Sequence, residues 1–334
     1  MNYSIAIRTL GTSGKKFVCE LESIKRQTIQ PDKVVIYIAE GYKRPDYTIG
    51  KEEYVWVKKG MMSQRVLRYD EIDSPLIMLL DDDVELAPDS AEKLMNALDE
   101  YQLDCIAADT FKNHEMTLSG KLYAAVTNLV FPHYCNKWAF KIHSNGSFSY
   151  NNIIRRDVYL SQSAAGPASL WKKDVFLALH MEDELWLEQF GFPYGEDALM
   201  FNKLFKNGYR LGVHFNSGIA NLDGKSSSGS FQRDPRKFYT RSCASFLIWH
   251  RICFNLNGLS AYKRVWAAFG IAFKTVWMLM INVLASIYYR SPKVVWNYAK
   301  GIYDGLKILQ SVEYRRNPNY IQKRILAKEQ YVIK

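Results

Sequence analysis

The sequence predicts an α/β fold, a mainly parallel sheet flanked by helices on both faces, followed by a C-terminal helical extension. Three observations predict it. Short apolar runs rich in β-branched residues alternate with helix-periodic stretches over residues 1–101. One run, residues 76–84 (LIMLLDDDV), is apolar for five residues and then delivers three carboxylates. A buried parallel strand ends this way at the ligand edge of an open sheet. Finally, the basic charge is confined to the tail: residues 235–334 carry 17 Lys+Arg against 3 Asp+Glu, and residues 1–234 carry 27 against 31. That asymmetry divides the chain into a 1–234 α/β domain and a basic, apolar helical region at 235–334.

The elements follow in order. Residues 3–9 (YSIAIRT) are strand-like and end in the turn Gly11-Thr12-Ser13-Gly14. Phe17, Leu21 and Ile24 then recur at helical spacing until Pro31-Asp32. Residues 33–39 (KVVIYIA) form a second buried strand with Glu40-Gly41 at its carboxyl end, completing a βαβ opening. Residues 54–58 predict a third strand, 63–71 a short helix, and 88–101 a helix with Pro at its start and Leu94, Ala97 and Leu98 on one face. Residues 105–165 are less regular. There CIAADTF and YAAVTNLVF are compatible with strands, and His114, His133 and His143 lack metal-ligand spacing, which makes them surface or packing groups. Regularity returns at 166–171 (GPASLW), a small-residue turn entering a strand. The loop 190–197 (FGFPYGED) then leads into a helix over 198–207, closed by Gly208.

A hydrophobic share of 48% with 23% charged residues describes a folded globular chain. The five cysteines form no CxxC pair and leave one over, which fits core residues in a reducing compartment. The N-terminus has no basic segment followed by an apolar one, so the α/β domain is expected in the cytoplasm.

Three adjacent carboxylates repel one another and call for a cation. On an extended chain Asp81 and Asp83 point to one side, where they could share a hard divalent ion with a diphosphate, and Asp82 points to the other. The plainer reading is an acidic turn leading into the helix after Pro88-Asp89-Ser90. Glu196 and Asp197 have a similarly ordinary explanation, complementing the dipole at a helix start.

Together these stretches resemble the family 2 glycosyltransferases, which have the GT-A fold. The resemblance rests on the opening strand, the phrase Ser23-Ile24, Gln27-Thr28, Pro31-Asp32, Val34-Val35-Ile36, the strand end Leu80-Asp81-Asp82-Asp83, the turn Gly166-Pro167-Ala168, and Gly195-Glu196-Asp197 with Lys206-Asn207-Gly208-Tyr209. These occur in the family's order over about residues 3–224. The resemblance implies that Thr9 and Glu40 hold the nucleoside, with Arg65 near the base or diphosphate and Asp82 and Gly166 in the same donor site. It matches Asp81 and Asp83 to the DxD motif, Asp83 binding Mn²⁺ or Mg²⁺ and Asp81 meeting the ribose or a metal-bound water. Asp197 falls at the general-base position, with Glu196 beside it to contact the acceptor or orient the base.

Two departures matter. Some members complete the metal shell with a histidine; here Asn221 to Asp223 align there, making Asp223 the candidate substitute, and His214 comes too early. The QxxRW motif of processive members is not matched by residues 232–236 (QRDPR), which implies single additions. In chemical terms, a divalent ion neutralises the leaving diphosphate, and a carboxylate on the opposite side takes the acceptor proton.

Residues 265–289 are almost wholly apolar but carry Lys274 and Asn282, and both flanks are basic (Lys263-Arg264, Arg290 and Lys293). A single span would place one basic flank outside, so an interfacial helix on an anionic cytoplasmic leaflet is expected, with a buried or dimer helix and a true span as alternatives. Residues 246–254, with Arg241 and Arg251, read as a second amphipathic piece, giving a membrane-binding segment over 240–334. Functionally, a nucleotide-sugar donor and a glycan or lipid-linked acceptor are the expected partners, and no nucleic acid. A non-catalytic nucleotide- or glycan-binding assembly subunit is the alternative.

Overall fold

The computed structural model describes residues 2–110, 117–129, 137–151, 153–190, 195–223 and 236–322. Parts of the 190–197 loop, the 232–235 stretch, the basic end beyond 322, His114, His133 and Cys135 lie outside them.

The protein is α/β, with a mostly parallel central sheet flanked by helices and a C-terminal helical segment. Chain order begins β1 (Tyr3–Thr9), α1 (Lys15–Lys25), β2 (Val34–Ala39), β3 (Glu52–Val57), α2 (Met61–Arg65), β4 (Leu76–Asp81), β5 (Val84–Leu86), α3 (Ser90–Glu100) and β6 (Cys105–Ala108). It continues with α4 (Leu118–Asn128), β7 (Phe140–Ile142), β8 (Phe148–Tyr150), β9 (Val158–Leu160), β10 (Ala168–Lys172), α5 (Lys173–Ala178), a 3₁₀ segment (Met181–Phe190), α6 (Glu196–Lys206), β11 (Leu211–His214) and β12 (Ile219–Asn221). The tail holds α7 (Arg236–Trp249), a π turn (His250–Phe254), α8 (Ala261–Tyr288), α9 (Lys293–Gln310) and α10 (Val312–Arg315).

The eight-stranded sheet runs β3-β2-β1-β4-β10-β6-β11-β9. β1 to β4 are mutually parallel, β10 runs antiparallel between β4 and β6, and β9 closes the far edge antiparallel to β11. From β1 the chain first builds outward to β2 and β3, then returns to place β4 on the other side of β1. Open α/β sheets bind ligands at such a reversal, beyond the strands' carboxyl ends. The continuous apolar run of β4 follows from burial on both faces. Leu76, Met78 and Leu80 pack with Leu21 and Ile24 of α1 and Leu94 and Leu98 of α3, whereas Ile77 and Leu79 belong to a second core with Leu199 and Leu204 of α6.

Three stretches differ from expectation. The helix expected over 63–71 ends at Arg65, because Tyr69 adopts φ +54° and turns its ring inward against Tyr37 and Phe176 at 5.3 and 5.5 Å. YAAVTNLVF is helical through Asn128: the Thr117 side chain accepts from the Gly120 amide, and the helix docks on α8 where Trp277 Nε1 donates to Thr127 Oγ1 at 2.8 Å. A short apolar run does not by itself separate strand from helix.

The run 246–254, expected on a membrane surface, contributes heavily to the protein interior. Ile248 and Ile252 join the same core as Leu199 and Leu204, so that core continues past residue 235. Arg251 is buried beside Glu184, which accepts from its Nη2 at 2.8 Å and also pairs with the buried Lys203 at 3.2 Å. α8 is different: it is long and apolar enough to cross a membrane, and only 17% of its most apolar window is buried.

Candidate functional site: a carboxylate-lined cleft

The carboxyl ends of β1 and β4 open into a cleft of about 480 Å³, which Asp197 also lines from the first turn of α6. Strand register sets the first contact: Arg8 lies opposite Asp81, and its Nη2 donates to Asp81 Oδ1 at 2.7 Å. Arg65, at the end of α2, donates from Nη2 to the other oxygen, Asp81 Oδ2, at 3.2 Å. Its Nη1 stands 3.1 Å from Asp197 Oδ1, and Glu196 Oε1 lies 3.9 Å from its Nη2. One guanidinium thus joins the end of the central strand to the start of α6.

Thr9 donates its hydroxyl to Asp82 and accepts the Gly11 amide at 2.6 Å. Gly11 has φ +70°, and a Cβ there would meet the Lys43 carbonyl oxygen at 2.4 Å, so this turn requires glycine. Asp83 Oδ1 accepts from Asn221 Nδ2 at 3.1 Å, and its carbonyl accepts the Leu222 amide at 2.7 Å. Antiparallel pairing of β12 with β5 brings Asn221 and Asp223 to this position. Asp223 pairs with Lys16. Gly166 donates its amide to Asp197 Oδ2 at 2.9 Å, and its carbonyl accepts from Arg8 at 3.3 Å.

Of the residues singled out from sequence, Thr9, Arg65, Asp81, Asp82, Asp83, Asp197 and Asp223 line one cleft. Glu196 and Gly166 abut it through Arg65 and Asp197. Glu40 is exposed at the end of β2, with its amide bonded to the Val57 carbonyl, and is not among the cleft-lining residues. His214, at the end of β11, accepts the Asn216 amide on Nδ1. Sequence reading missed Arg8 and Lys16, and placed Asn221 near the metal position without giving it a role. Arg8 carried a signal, the one charged residue in its strand, whereas Lys16 meets Asp223 and Asn221 lines the cleft only through folding.

Burial drives the electrostatics. Burial and then the charges of Asp81, Asp82 and Asp223 push Asp83 up to about 6. Burial and the neighbouring Asp197 push Glu196 up to about 7, and Arg65 opposes them. Asp82 is also raised, first by burial, against hydrogen bonds from Ser13 and Thr9.

Among the described residues, no three His, Cys, Asp or Glu side chains are arranged to hold a metal ion by themselves. Asp81 is engaged by two arginines, whereas Asp83 and Asp223 line the cleft with contacts from Asn221 and Lys16 respectively, and Asp83 is held in a field of like charge. This donor set fits a hard divalent ion that takes its other ligands from phosphate oxygens and water, the usual pattern for Mg²⁺.

No protein-family model matches the chain, and comparison with curated proteins gives no match.

Proposed function

We propose that the protein is a metal-dependent, inverting glycosyltransferase of the GT-A, family 2 type. It would move one sugar from a nucleotide-diphosphate sugar to a hydroxyl of a glycan or lipid-linked acceptor, as in cell-surface polysaccharide assembly at the cytoplasmic face of a membrane. One observation carries this reading: the Asp81-Asp82-Asp83 strand end and the Asp197 helix start share one cleft, bridged by Arg65. Inverting transfer needs that division, with leaving-group chemistry at one wall and proton removal at another.

Asp83 and Asp223 would hold Mn²⁺ or Mg²⁺, which when bound supplies positive charge to the departing diphosphate. Arg8 and Arg65 would fix Asp81 for a donor hydroxyl. Thr9 would fix Asp82, and the Thr12 and Ser13 hydroxyls beside them would bind polar donor atoms. Asp197, held by the Gly166 amide, would accept the acceptor proton. Glu196, raised to about 7, would orient or assist it. The exposed apolar face of α8 would hold the protein on an anionic membrane surface.

The deciding experiment is thermal unfolding with UDP, GDP, TDP or CMP, each with and without Mn²⁺, because a ligand that binds the folded state raises the midpoint. One nucleotide should give a metal-dependent rise that Asp83→Ala abolishes. No shift with any nucleotide would sink this reading.

A further inference from the structure

A smaller cavity, of about 220 Å³, lies at the opposite end of α6 from Asp197. Asn202 and Lys206 enter it from one face of that helix, Tyr262 and Lys263 from the first turn of α8, and Gln162 from the chain after β9. Its volume is below the roughly 300–1,000 Å³ of pockets for drug-sized ligands, so it suits one small molecule.

Several polar groups of this cavity have no partner within the protein. Lys206 is half-buried, and neither its ammonium nor that of Lys263 makes a hydrogen bond or ion pair among the described residues. Burial lowers the Lys206 pKa, Lys263 bears on it as a like charge, and the described lining contains no carboxylate. Asn202 is fully buried. Its Nδ2 donates to the Gln162 carbonyl at 3.0 Å, and its Oδ1 has no hydrogen-bond partner. The Gln162 Oε1 accepts the Ile142 amide at 2.9 Å, which leaves Nε2 as a donor. A buried acceptor left unpaired calls for an explanation, and a ligand that donates to it supplies one.

These groups select the ligand's chemistry. Two ammonium groups call for an anion. Asn202 Oδ1 calls for a hydrogen-bond donor, which a fully ionised phosphate or sulfate lacks. Beside the cations stands the Tyr262 ring, 77% exposed, which offers a flat apolar surface. An acidic sugar meets all three demands: a carboxylate for the lysines, hydroxyls for the two amides, and the C–H face of its ring for the tyrosine.

We propose that this cavity binds a uronate-type acidic sugar, its carboxylate between Lys206 and Lys263 and a hydroxyl donating to Asn202. The binding site rests on these residues alone. Its role rests on the sugar-transfer reading: Asp197 and Lys206 stand at opposite ends of the 11-residue α6, roughly 14 Å apart at the helical rise. The acidic sugar would then belong to a part of the glycan away from the reacting hydroxyl, and the acceptor would be an anionic glycan.

The test uses the full chain in a non-ionic detergent, with affinities from ligand-observed NMR titrations. The probes are methyl β-glucuronide, methyl β-glucoside, acetate and inorganic phosphate. The glucuronide should bind at least about tenfold more tightly than each of the others, as expected for a charge-assisted contact added to the sugar's own. Lys206→Gln should weaken it about tenfold. Lys263→Glu, a change on an exposed side chain, should do at least as much and serves if Lys206→Gln does not fold. Tyr262→Ala should weaken the glucuronide about threefold or more and leave acetate unchanged. Equal binding of the glucoside, equal binding of acetate or phosphate, or unchanged glucuronide affinity in any folded variant would each overturn the proposal. Nucleotide binding with Mn²⁺ is read on the same unaltered protein. Glucuronide binding without nucleotide binding would keep the cavity's ligand and remove its role in sugar transfer, and the reverse would overturn the cavity alone.

Discussion

Arg65 and Asp197 meet in the wall of the cleft, Nη1 to Oδ1 at 3.1 Å, in an ion pair outside hydrogen-bond geometry. The same guanidinium donates to Asp81. The wall that carries the acid triplet and the helix that carries the proposed base are therefore positioned by one side chain, and Gly166 leaves the room for it.

A Cβ at Gly166 would stand 2.0 Å from Asp197 Oδ1 and 2.6 Å from Arg65 Nη1. Gly166→Ala should displace both groups. The proposed sugar transfer is expected to fall about 10²-fold, the scale of a misplacement near 1 Å, with a stability loss of about 1–3 kcal/mol. Steady-state kinetics and urea unfolding on the same preparation separate the two effects.

Asp197→Asn keeps the shape of the side chain and removes its capacity to take a proton. Nucleotide binding should persist while transfer drops about 10²–10⁴-fold. A normal transfer rate in this variant would move the role elsewhere, with Glu196→Gln the next variant to assay.

Glu20 of α1 is fully buried, and neither of its carboxylate oxygens has a hydrogen-bond partner. Burial, reinforced by Asp82, Asp81 and Asp83, raises its pKa well above the ordinary glutamate value. The protonated form is therefore the one the fold favours. Its contribution to stability is complete below the unfolded-state pKa and is lost as pH rises toward the folded one, by up to about 1.4 kcal/mol per pH unit. Glu20→Gln, neutral at every pH, should gain stability over the natural chain as pH goes from 5 to 8. A difference that stays flat across that range would show Glu20 to be ionised in the fold.

Removing the tail at residue 240 would strip Ile248, Ile252 and Tyr320 from the main core, so membrane binding is better tested at the surface. Trp266, Leu284 and Ile287 on α8 are 53%, 67% and 69% exposed. Replacing all three with Glu should abolish flotation with anionic liposomes and change stability by no more than about 0.5 kcal/mol per site. Unchanged flotation would overturn the membrane role of the exposed face of α8.

Periodicity and punctuation determined much of this protein. The apolar runs at β1, β2 and β4 are each bounded by turn residues, and their doubly buried pattern has one economical solution, a parallel sheet covered on both sides. The carboxylates at the end of β4 and the start of α6 were legible for the same reason, since acids after an apolar strand or before a helix stand out locally. Packing decided the rest. The 123–128 segment is a helix because its capping and its contact with α8 outweigh an ambiguous pattern. The 246–254 run is interior because α6, α9 and the 3₁₀ segment offer it an apolar face that the sequence does not display. Arg8, Lys16, Gly166 and Asn221 meet the acids only after strand register and the β5–β12 pairing bring distant segments together. Local sequence encodes what a residue prefers, and long-range contact selects which charge it finally faces.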